Sequence, residues 1–289
     1  MKRGWAGPAW GDPSSASELP VPLRSRAGSN SAGYRAEGGW SADFVVLAAS
    51  VAGVAHRLAG RRCEDAYGWA GAGPGRLALV VADGVSTAGR GGEGADIAVS
   101  AACDYLAAEN GESGWGESEC RAAARAASEA LVFAGGPAAA DLSTTLVVAL
   151  LSAGGGGAEA LLARVGDSSA FVLEGTEWRE LFPGRAEEDM RGLPVKVLPL
   201  RQGAGPGAIE TASAFLMPGR ALVLLTDGMA DPLREGPGTV APALAEVLSG
   251  GPSGELAPLE LANAADFSRR GCQDDRTVLV AWPRAAGDE

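Results

Sequence analysis

The sequence predicts an α+β fold: two antiparallel β-sheets packed face to face as a central β-sandwich, flanked by pairs of antiparallel helices. Three observations support this prediction. Apolar strand candidates follow one another through short reversals, which is typical of antiparallel sheets. Two apolar strands end in Asp-Gly, and a pair of helical patterns follows each of them. Helix pairs outside two stacked sheets give a four-layer α-β-β-α arrangement that buries one face of every helix.

Length and composition allow one large domain. The chain has 289 residues, of which 46% are hydrophobic, so it can bury a sizeable core. Its formal charge of −12, from 24 basic and 36 acidic residues, disfavours a nucleic-acid partner, because such proteins present a basic face. No apolar run approaches the roughly 18 to 20 residues that cross a bilayer, and no secretory signal is recognisable. We therefore expect a cytoplasmic protein without a membrane partner.

The chain divides into a leader, a domain and a tail. Residues 1–39 are rich in Gly, Ser and Pro and lack periodicity, which predicts a flexible leader. Residues 40–284 form the predicted domain, within which 176–215 is an irregular, flap-like segment with several prolines. Residues 285–289 are a short tail.

The elements of the domain are predicted from hydrophobic periodicity. Residues 44–56 are predicted to form a strand and the turn that follows it. The other strand candidates are residues 77–81, 143–152, 159–167, 169–175, the run that begins at 220 and ends in Asp227-Gly228, and 276–283. The helix candidates are residues 95–106, 120–131, 238–248 and 255–270.

The cysteines and the single histidine limit the kinds of metal or catalytic site that this chain could form. The four cysteines form no CxxC pair, so neither a zinc site nor a disulfide framework is expected. His56 is the only histidine, which leaves no imidazole-rich zinc site and at most one catalytic imidazole. Chemistry in this chain must therefore depend mainly on carboxylates, hydroxyls, arginines or a bound metal.

Acidic residues recur where apolar strands end or begin. Asp83, Asp227 and Asp274 occupy such positions, and the Glu64-Asp65 pair and Asp167 add two more. A single Asp-Gly is typical of a turn, and Glu64 beside arginines is typical of a surface ion pair. Five positions together favour a shared cation, because converging carboxylates repel one another unless they are neutralised.

An oxygen-only ligand set predicts hard divalent cations. Carboxylates without His or Cys suit Mg²⁺ or Mn²⁺. Two such ions sharing one bridging Asp would position and acidify a water for in-line attack on phosphorus. This chemistry needs no side-chain nucleophile.

A glycine-rich motif offers a competing interpretation. Gly89 to Gly94 match GxGxxG at the start of a helix, as in dinucleotide-binding folds. However, residues 83–88 separate the motif from the strand, and no second strand with an acid follows about 20 residues later. Neither a P-loop nor a nucleophile elbow occurs. A dinucleotide site is therefore disfavoured.

Six segments, in order, resemble motifs of the metal-dependent protein phosphatases, the 2C-type serine/threonine (PPM) family. These segments are RRCEDA (61–66), VVADGVSTAGRGGEGA (80–95), STTL (143–146), RVGDSSAFVL (164–173), LLTDGMAD (224–231) and QDDRTVLV (273–280). The stretch from His56 to Cys63 is most similar to a bacterial subgroup of that family.

The resemblance implies a site for two Mn²⁺ or Mg²⁺ ions and a third, weaker ion. The implied ligand set is Asp83 as the bridge, the Gly84 carbonyl, Asp227 and Asp274 on one ion, Glu64 through water on the other, Asp65 as an orienting residue, and Asp167 on the third ion. The implied substrate is a phosphorylated Ser/Thr protein, paired with a Ser/Thr kinase, and we expect a monomer. The segment 176–215 corresponds to the family's variable flap.

The sequence departs from the family pattern at the positions that contact phosphate. Gly60 stands where the family has a phosphate-binding Arg, which leaves Arg57, Arg61 and Arg62 as candidates. Val85 follows the Asp-Gly pair, where some members have His. His56 is then a candidate general acid, with a structural role as the alternative.

Two further departures change charge near the site. Asp275 replaces the usual Asn, and Ser169 replaces the usual Arg. Two alternatives to a protein phosphatase stay open. One is a catalytically silent module that binds a phosphoprotein, and the other is a phosphatase for a small phosphorylated metabolite.

Overall fold

The computed structural model describes residues 33–108, 116–182, 196–201, 203–235, 240–249, 258–267 and 271–284. Most of the predicted leader, the predicted tail and the centre of the flap-like segment lie outside these residues. The strands are β1 Tyr34–Trp40, β2 Phe44–Val51, β3 Asp65–Gly71, β4 Arg76–Asp83, β5 Leu146–Gly154, β6 Gly157–Val165, β7 Ser169–Glu174, β8 Glu177–Glu180, β9 Glu210–Leu216, β10 Arg220–Leu225 and β11 Arg276–Pro283. The helices are α1 Val54–Leu58, α2 Gly91–Ala108, α3 Glu117–Gly135, α4 Asp227–Arg234, α5 Val240–Leu248 and α6 Pro258–Ala265, with 3-10 turns at Gly136–Leu142 and Pro206–Ala208.

The strands form two antiparallel sheets. One has six strands in the order β1-β2-β11-β10-β7-β8, and the other has five in the order β3-β4-β5-β6-β9. Helices α2 and α3 pack together on the five-stranded sheet, and α4, α5 and α6 lie against the six-stranded one. The predicted α+β sandwich of two antiparallel sheets is therefore confirmed.

Three apolar layers hold the sheets and helices together. The layer between the sheets includes Leu77, Leu79 and Val81 of β4. The intervening Ala78 and Val80 face α2 and α3 instead. Side chains alternate along a strand, so β4 is buried on both faces, which explains its continuous apolar sequence. The third layer lies between the six-stranded sheet and α4 to α6.

Strand β1 begins inside the predicted leader. Its residues Tyr34–Trp40 pair with Val45 to Val51 of β2 along their whole length. β1 is an edge strand and most of its residues are half-buried, so it lacks the apolar alternation that would indicate a strand. Regular secondary structure is therefore already present at Tyr34, inside the predicted leader.

Both ends of the predicted flap-like segment are strands, and two helices were not expected: α1, where a turn was predicted, and α4. β8 pairs with β7, and β9 pairs with β6, so both ends of 176–215 belong to the sheets. Both are edge strands with few large apolar residues. Helix α4 contains Pro232, which is atypical of a helix interior.

Within the described residues, no helix combines the length and apolar composition that a membrane span requires.

Candidate metal centre

Two of the predicted acids are cross-strand partners. Asp65 opens β3, Asp83 closes β4, and the two residues lie directly opposite each other in the register. Side chains at paired positions project from the same face of a sheet, and like charges there are destabilising. The pair therefore requires a proton or a cation between or beside its carboxylates.

Three more acids meet Asp83 at one cavity. Asp227 is the first residue of α4, Asp274 precedes β11, and Asp167 lies in the turn between β6 and β7. A cavity of about 480 Å³ is lined by Asp83, Gly84, Asp167, Asp227 and Asp274. Residues that are far apart in sequence and come from both sheets thus share one space.

Glycine follows two of these aspartates because the backbone passes very close to it. A Cβ on Gly84 would lie 2.3 Å from the Gly91 carbonyl carbon, and one on Gly228 would lie 2.0 Å from the Asp275 carbonyl oxygen. Both distances are far below a normal contact, so no side chain fits. The repeated Asp-Gly pairs therefore reflect close packing behind the acids.

Buried threonines hold the backbone and carboxylate of the paired acids. The Asp83 amide donates to Thr145 Oγ1 at 3.0 Å, and Thr144 Oγ1 donates to the Asp83 carbonyl at 2.7 Å. Thr226 Oγ1 donates to Asp65 Oδ2 at 2.8 Å and accepts the Thr277 amide at 2.9 Å. The bond from Thr226 to Asp65 links the two sheets at the site.

Burial and mutual repulsion raise the pKa values of the acids. Burial, followed by the charge of Asp65, holds the pKa of Asp83 well above its usual value. Burial, followed by the charge of Asp275, does the same to the pKa of Asp65. Burial and then Asp274 raise the pKa of Asp227 to about 7.

The donor atoms fit a site for a divalent cation. Among the described residues, Glu64 Oε2, Asp65 Oδ1 and Asp227 Oδ1 are buried and have no hydrogen-bond partner. Buried carboxylate oxygens without donors are costly, and a divalent ion would satisfy them. In the same part of the chain, no three His, Cys, Asp or Glu side chains are already arranged as a formed cation site. The repelling carboxylates would therefore need to reorient on binding.

The arginine candidates lie beside acids outside the cavity wall. Arg61 Nη2 donates to Glu64 Oε1, and its side chain is 46% exposed. Arg62 Nη1 lies 3.8 Å from Asp96 Oδ2, and Arg57 Nη1 donates to Asp266 at 2.8 Å. No lysine or arginine is among the described residues that line the cavity.

His56 lies in α1, buried and away from the cavity lining. Its Nδ1 is 2.9 Å from both carboxylate oxygens of Asp275. The single histidine thus contacts the residue that replaces the family's Asn. This contact could not be predicted from the sequence, because 219 positions separate the two residues.

Several polar residues at the cavity were not predicted as part of the site. Ser86, Thr87, Asp141, Ser143 and Thr145 all line it. Ser86 and Thr87 fall in the glycine-rich loop after Asp83, and Ser143 and Thr145 fall in the STTL segment. These two segments were recognised as motifs, but which of their side chains face the cavity depends on the fold.

Several solved structures share the fold of this chain. The catalytic domain of the serine threonine protein phosphatase PstP, in complex with two manganese ions, is 19% identical with a TM-score of 0.56, covering 83% of this chain and 98% of that one. The PPM Ser-Thr phosphatase MsPP from Mycobacterium smegmatis, in complex with cacodylate, is 18% identical with a TM-score of 0.55, covering 82% and 97%. A phosphatase from Toxoplasma gondii is 14% identical with a TM-score of 0.63, covering 88% and 96%. The chain has the fold of the PPM-type phosphatases.

Family membership rests on the sequence itself. A family model described as Protein phosphatase 2C matches residues 52–256, which is more than half of the chain. The chain therefore belongs to the protein phosphatase 2C family. A comparison with curated proteins found no match.

Proposed function

We propose that this chain is a Mn²⁺- or Mg²⁺-dependent phosphatase that removes phosphate from Ser and Thr side chains of proteins. The observation that carries the proposal is the convergence of strand-end carboxylates at one cavity, where the buried Asp227 Oδ1 has no hydrogen-bond partner among the described residues. Asp83, the Gly84 carbonyl, Asp227 and Asp274 would hold the ions, with Glu64 acting through water, Asp65 orienting its neighbours and Asp167 serving a third ion.

The protein's own residues would prepare the site for this chemistry. When bound, two divalent ions supply positive charge and lower the pKa of the attacking water. Thr145 fixes the Asp83 backbone and Thr226 fixes the Asp65 carboxylate, so the acids are held before substrate arrives. Arg61, half-exposed beside Glu64, is our candidate for phosphate contact, with Arg62 as the second.

The first test of this proposed activity is hydrolysis of an aryl phosphate with Mn²⁺ and with EDTA. We expect Mn²⁺-dependent turnover that falls at least ~100-fold in Asp227→Asn, because one ligand of the ion is lost. Glu129→Gln, which removes a carboxylate from an exposed position on α3, is the matched control and should retain full activity. Turnover in EDTA, or full turnover in Asp227→Asn, would refute the proposal.

The substrate class needs a separate test. Release of phosphate from peptides carrying phosphoserine, phosphothreonine or phosphotyrosine should favour the first two. A substrate protein of this class would be supplied by a Ser/Thr kinase. Rapid hydrolysis of small phosphorylated metabolites with no turnover of phosphopeptides would instead identify a metabolite phosphatase.

A second candidate is a module that binds phosphoproteins without turning them over. It is favoured by one observation: the described lining of the cavity carries no lysine or arginine to contact phosphate. Isothermal calorimetry distinguishes the candidates when it is combined with the hydrolysis assay. Mn²⁺ binding with turnover supports the phosphatase, whereas the absence of Mn²⁺ binding and turnover supports the silent module.

A further inference from the structure

The buried carboxylate of Asp275 accepts hydrogen bonds from three donors that all belong to one segment. Asp275 is 3% exposed. Its Oδ1 accepts the Gly53 amide at 2.6 Å, and its Oδ2 accepts the Glu64 amide at 2.5 Å. The His56 Nδ1 lies 2.9 Å from both oxygens. The carboxylate thus holds both ends of residues 53–64 and the helix between them.

The backbone just before Asp275 packs tightly against the same segment. The Ala55 amide donates to the Gln273 carbonyl at 3.3 Å. A Cβ on Gly53 would lie 2.2 Å from that carbonyl oxygen and 2.4 Å from the Asp274 carbonyl carbon. Residues 53–64 are therefore fixed against the chain that carries Asp274, so the Glu64 and Asp274 positions are linked.

His56 lies between two carboxylates. Its Nδ1 faces Asp275, and its Nε2 is 3.9 Å from Glu64 Oε2, one of the buried oxygens without a hydrogen-bond partner among the described residues. Because a carboxylate only accepts, the bond to Asp275 uses a proton on Nδ1. The other ring nitrogen faces the acid expected to act on a metal.

The chemistry of Asp275 matches this set of donors better than an amide would. Three N–H groups point at its two oxygens, and an asparagine would turn an NH₂ group toward one of them. A buried donor would then lose its acceptor, which destabilises the contact. A carboxylate at position 275 therefore suits a histidine at position 56 better than an amide does.

We propose that Asp275 and His56 form a positioning pair that sets the location of Glu64 relative to Asp274 and so controls the affinity of the site for its divalent cations. This inference rests on the proposed function, since it assigns Glu64 and Asp274 to the cation site. The pair acts through Glu64 and does not touch the substrate. The structure thereby gives the lone histidine a positioning role in place of the general-acid role.

The test compares Asp275→Asn, His56→Gln and the double variant with the unaltered chain. Mn²⁺ affinity is measured by calorimetry, and kcat and KM for an aryl phosphate are measured at saturating Mn²⁺. We expect each single change to weaken Mn²⁺ binding about 10- to 100-fold, the usual effect of losing a residue that orients a metal ligand. The value of kcat at saturating Mn²⁺ should stay within a few-fold. The double variant should lose no more Mn²⁺ affinity than the more strongly affected single variant, because the two residues act together.

A matched control separates positioning from simple loss of a buried hydrogen bond. Ser128 on α3 is 7% exposed, as is His56, and its Oγ accepts the Leu200 amide at 2.8 Å. Ser128→Ala should lower the melting temperature with no change in Mn²⁺ affinity. Mn²⁺ affinity within twofold of the unaltered chain in both Asp275→Asn and His56→Gln would overturn the proposal, as would additive losses in the double variant.

Hydrogen exchange of the metal-free protein gives a result that does not depend on activity. The Glu64 and Gly53 amides should exchange faster in Asp275→Asn than in Ser128→Ala. Unchanged exchange would overturn the positioning pair even if the chain is an active phosphatase. Conversely, faster exchange in a chain that never binds Mn²⁺ would show that the pair positions residues 53–64, but it would overturn the role of the pair in cation affinity together with the proposed function.

Discussion

At the scale of single residues, the glycines behind the acids decide whether the site can form. Gly84 has the Gly91 backbone 2.3 Å from the position of a Cβ, whereas Gly89, in the same loop, has nothing within 4 Å. Neither residue has a positive φ. The two glycines therefore differ in packing alone.

Gly84→Ala should disrupt the site, and Gly89→Ala should not. The clash with backbone atoms should lower the free energy of unfolding by about 1–3 kcal/mol or more and weaken Mn²⁺ binding. Gly89→Ala should stay within about 1 kcal/mol of the unaltered chain. Urea unfolding and Mn²⁺ calorimetry check both variants, and equal stability of the two would contradict the packing argument.

The raised pKa values predict how pH affects the stability of the metal-free protein. Asp227 has a pKa of about 7 in the folded chain, against about 3.9 when unfolded. The fold therefore favours the protonated form, and the stability present at low pH is lost as pH rises toward 7. Asp65 and Asp83 shift in the same direction.

Unfolding in EDTA should show this loss between pH 5 and pH 8. Over that interval, the free energy of unfolding of Asp227→Asn should fall by about 1–3 kcal/mol less than that of the unaltered chain. Mn²⁺ added at pH 8 should restore stability, because the cation favours the ionised carboxylates. Parallel pH profiles of the two proteins in urea titrations would show that Asp227 is not the titrating group.

At the scale of elements, a continuous apolar run decides which strands can be predicted from the sequence. The apolar runs of β4, β5 and β11 lie inside the sandwich, and all three were predicted. The edge strands β1, β8 and β9 were not, because their partial exposure leaves no apolar pattern.

The acids of the candidate site could also be predicted from the apolar runs beside them, but the long-range contacts of the site could not. The acids at strand ends were identified because each follows or precedes an apolar run. The contact between His56 and Asp275 was not, because it depends on how α1 packs against the start of β11. The residues near each of these positions in the sequence do not indicate such packing between distant segments.

Removal of β1 tests where the domain begins. A chain starting at residue 33 should keep its melting temperature, whereas one starting at residue 42 loses the pairing of Tyr34–Trp40 with β2. It also loses the hydrogen bond from Arg57 Nη1 to the Tyr34 hydroxyl, 3.0 Å long. We expect the shorter chain to melt more than ~5 °C lower. Equal melting temperatures in differential scanning calorimetry would place the boundary at residue 40, as the sequence alone predicts.

At the scale of the whole molecule, the site depends on the packing of one sheet against the other. Asp65 and Asp83 come from the five-stranded sheet, and Asp227 and Asp274 come from the ends of β10 and β11 in the six-stranded sheet. Thr226 connects them by donating from the six-stranded side to Asp65. The core between the sheets therefore sets the distances between acids, and the cations would in turn stabilise the sandwich.

The most direct test of this account is a Mn²⁺ titration of aryl phosphate hydrolysis by the unaltered chain and by Asp83→Asn. Asp83 is the proposed bridge between the ions, so its loss removes a ligand from both. We expect a rate that rises and saturates with Mn²⁺ in the unaltered chain, and a rate at least ~100-fold lower in Asp83→Asn at every Mn²⁺ concentration. A rate independent of Mn²⁺, or equal rates for the two proteins, would contradict the proposal that these carboxylates form a catalytic metal site.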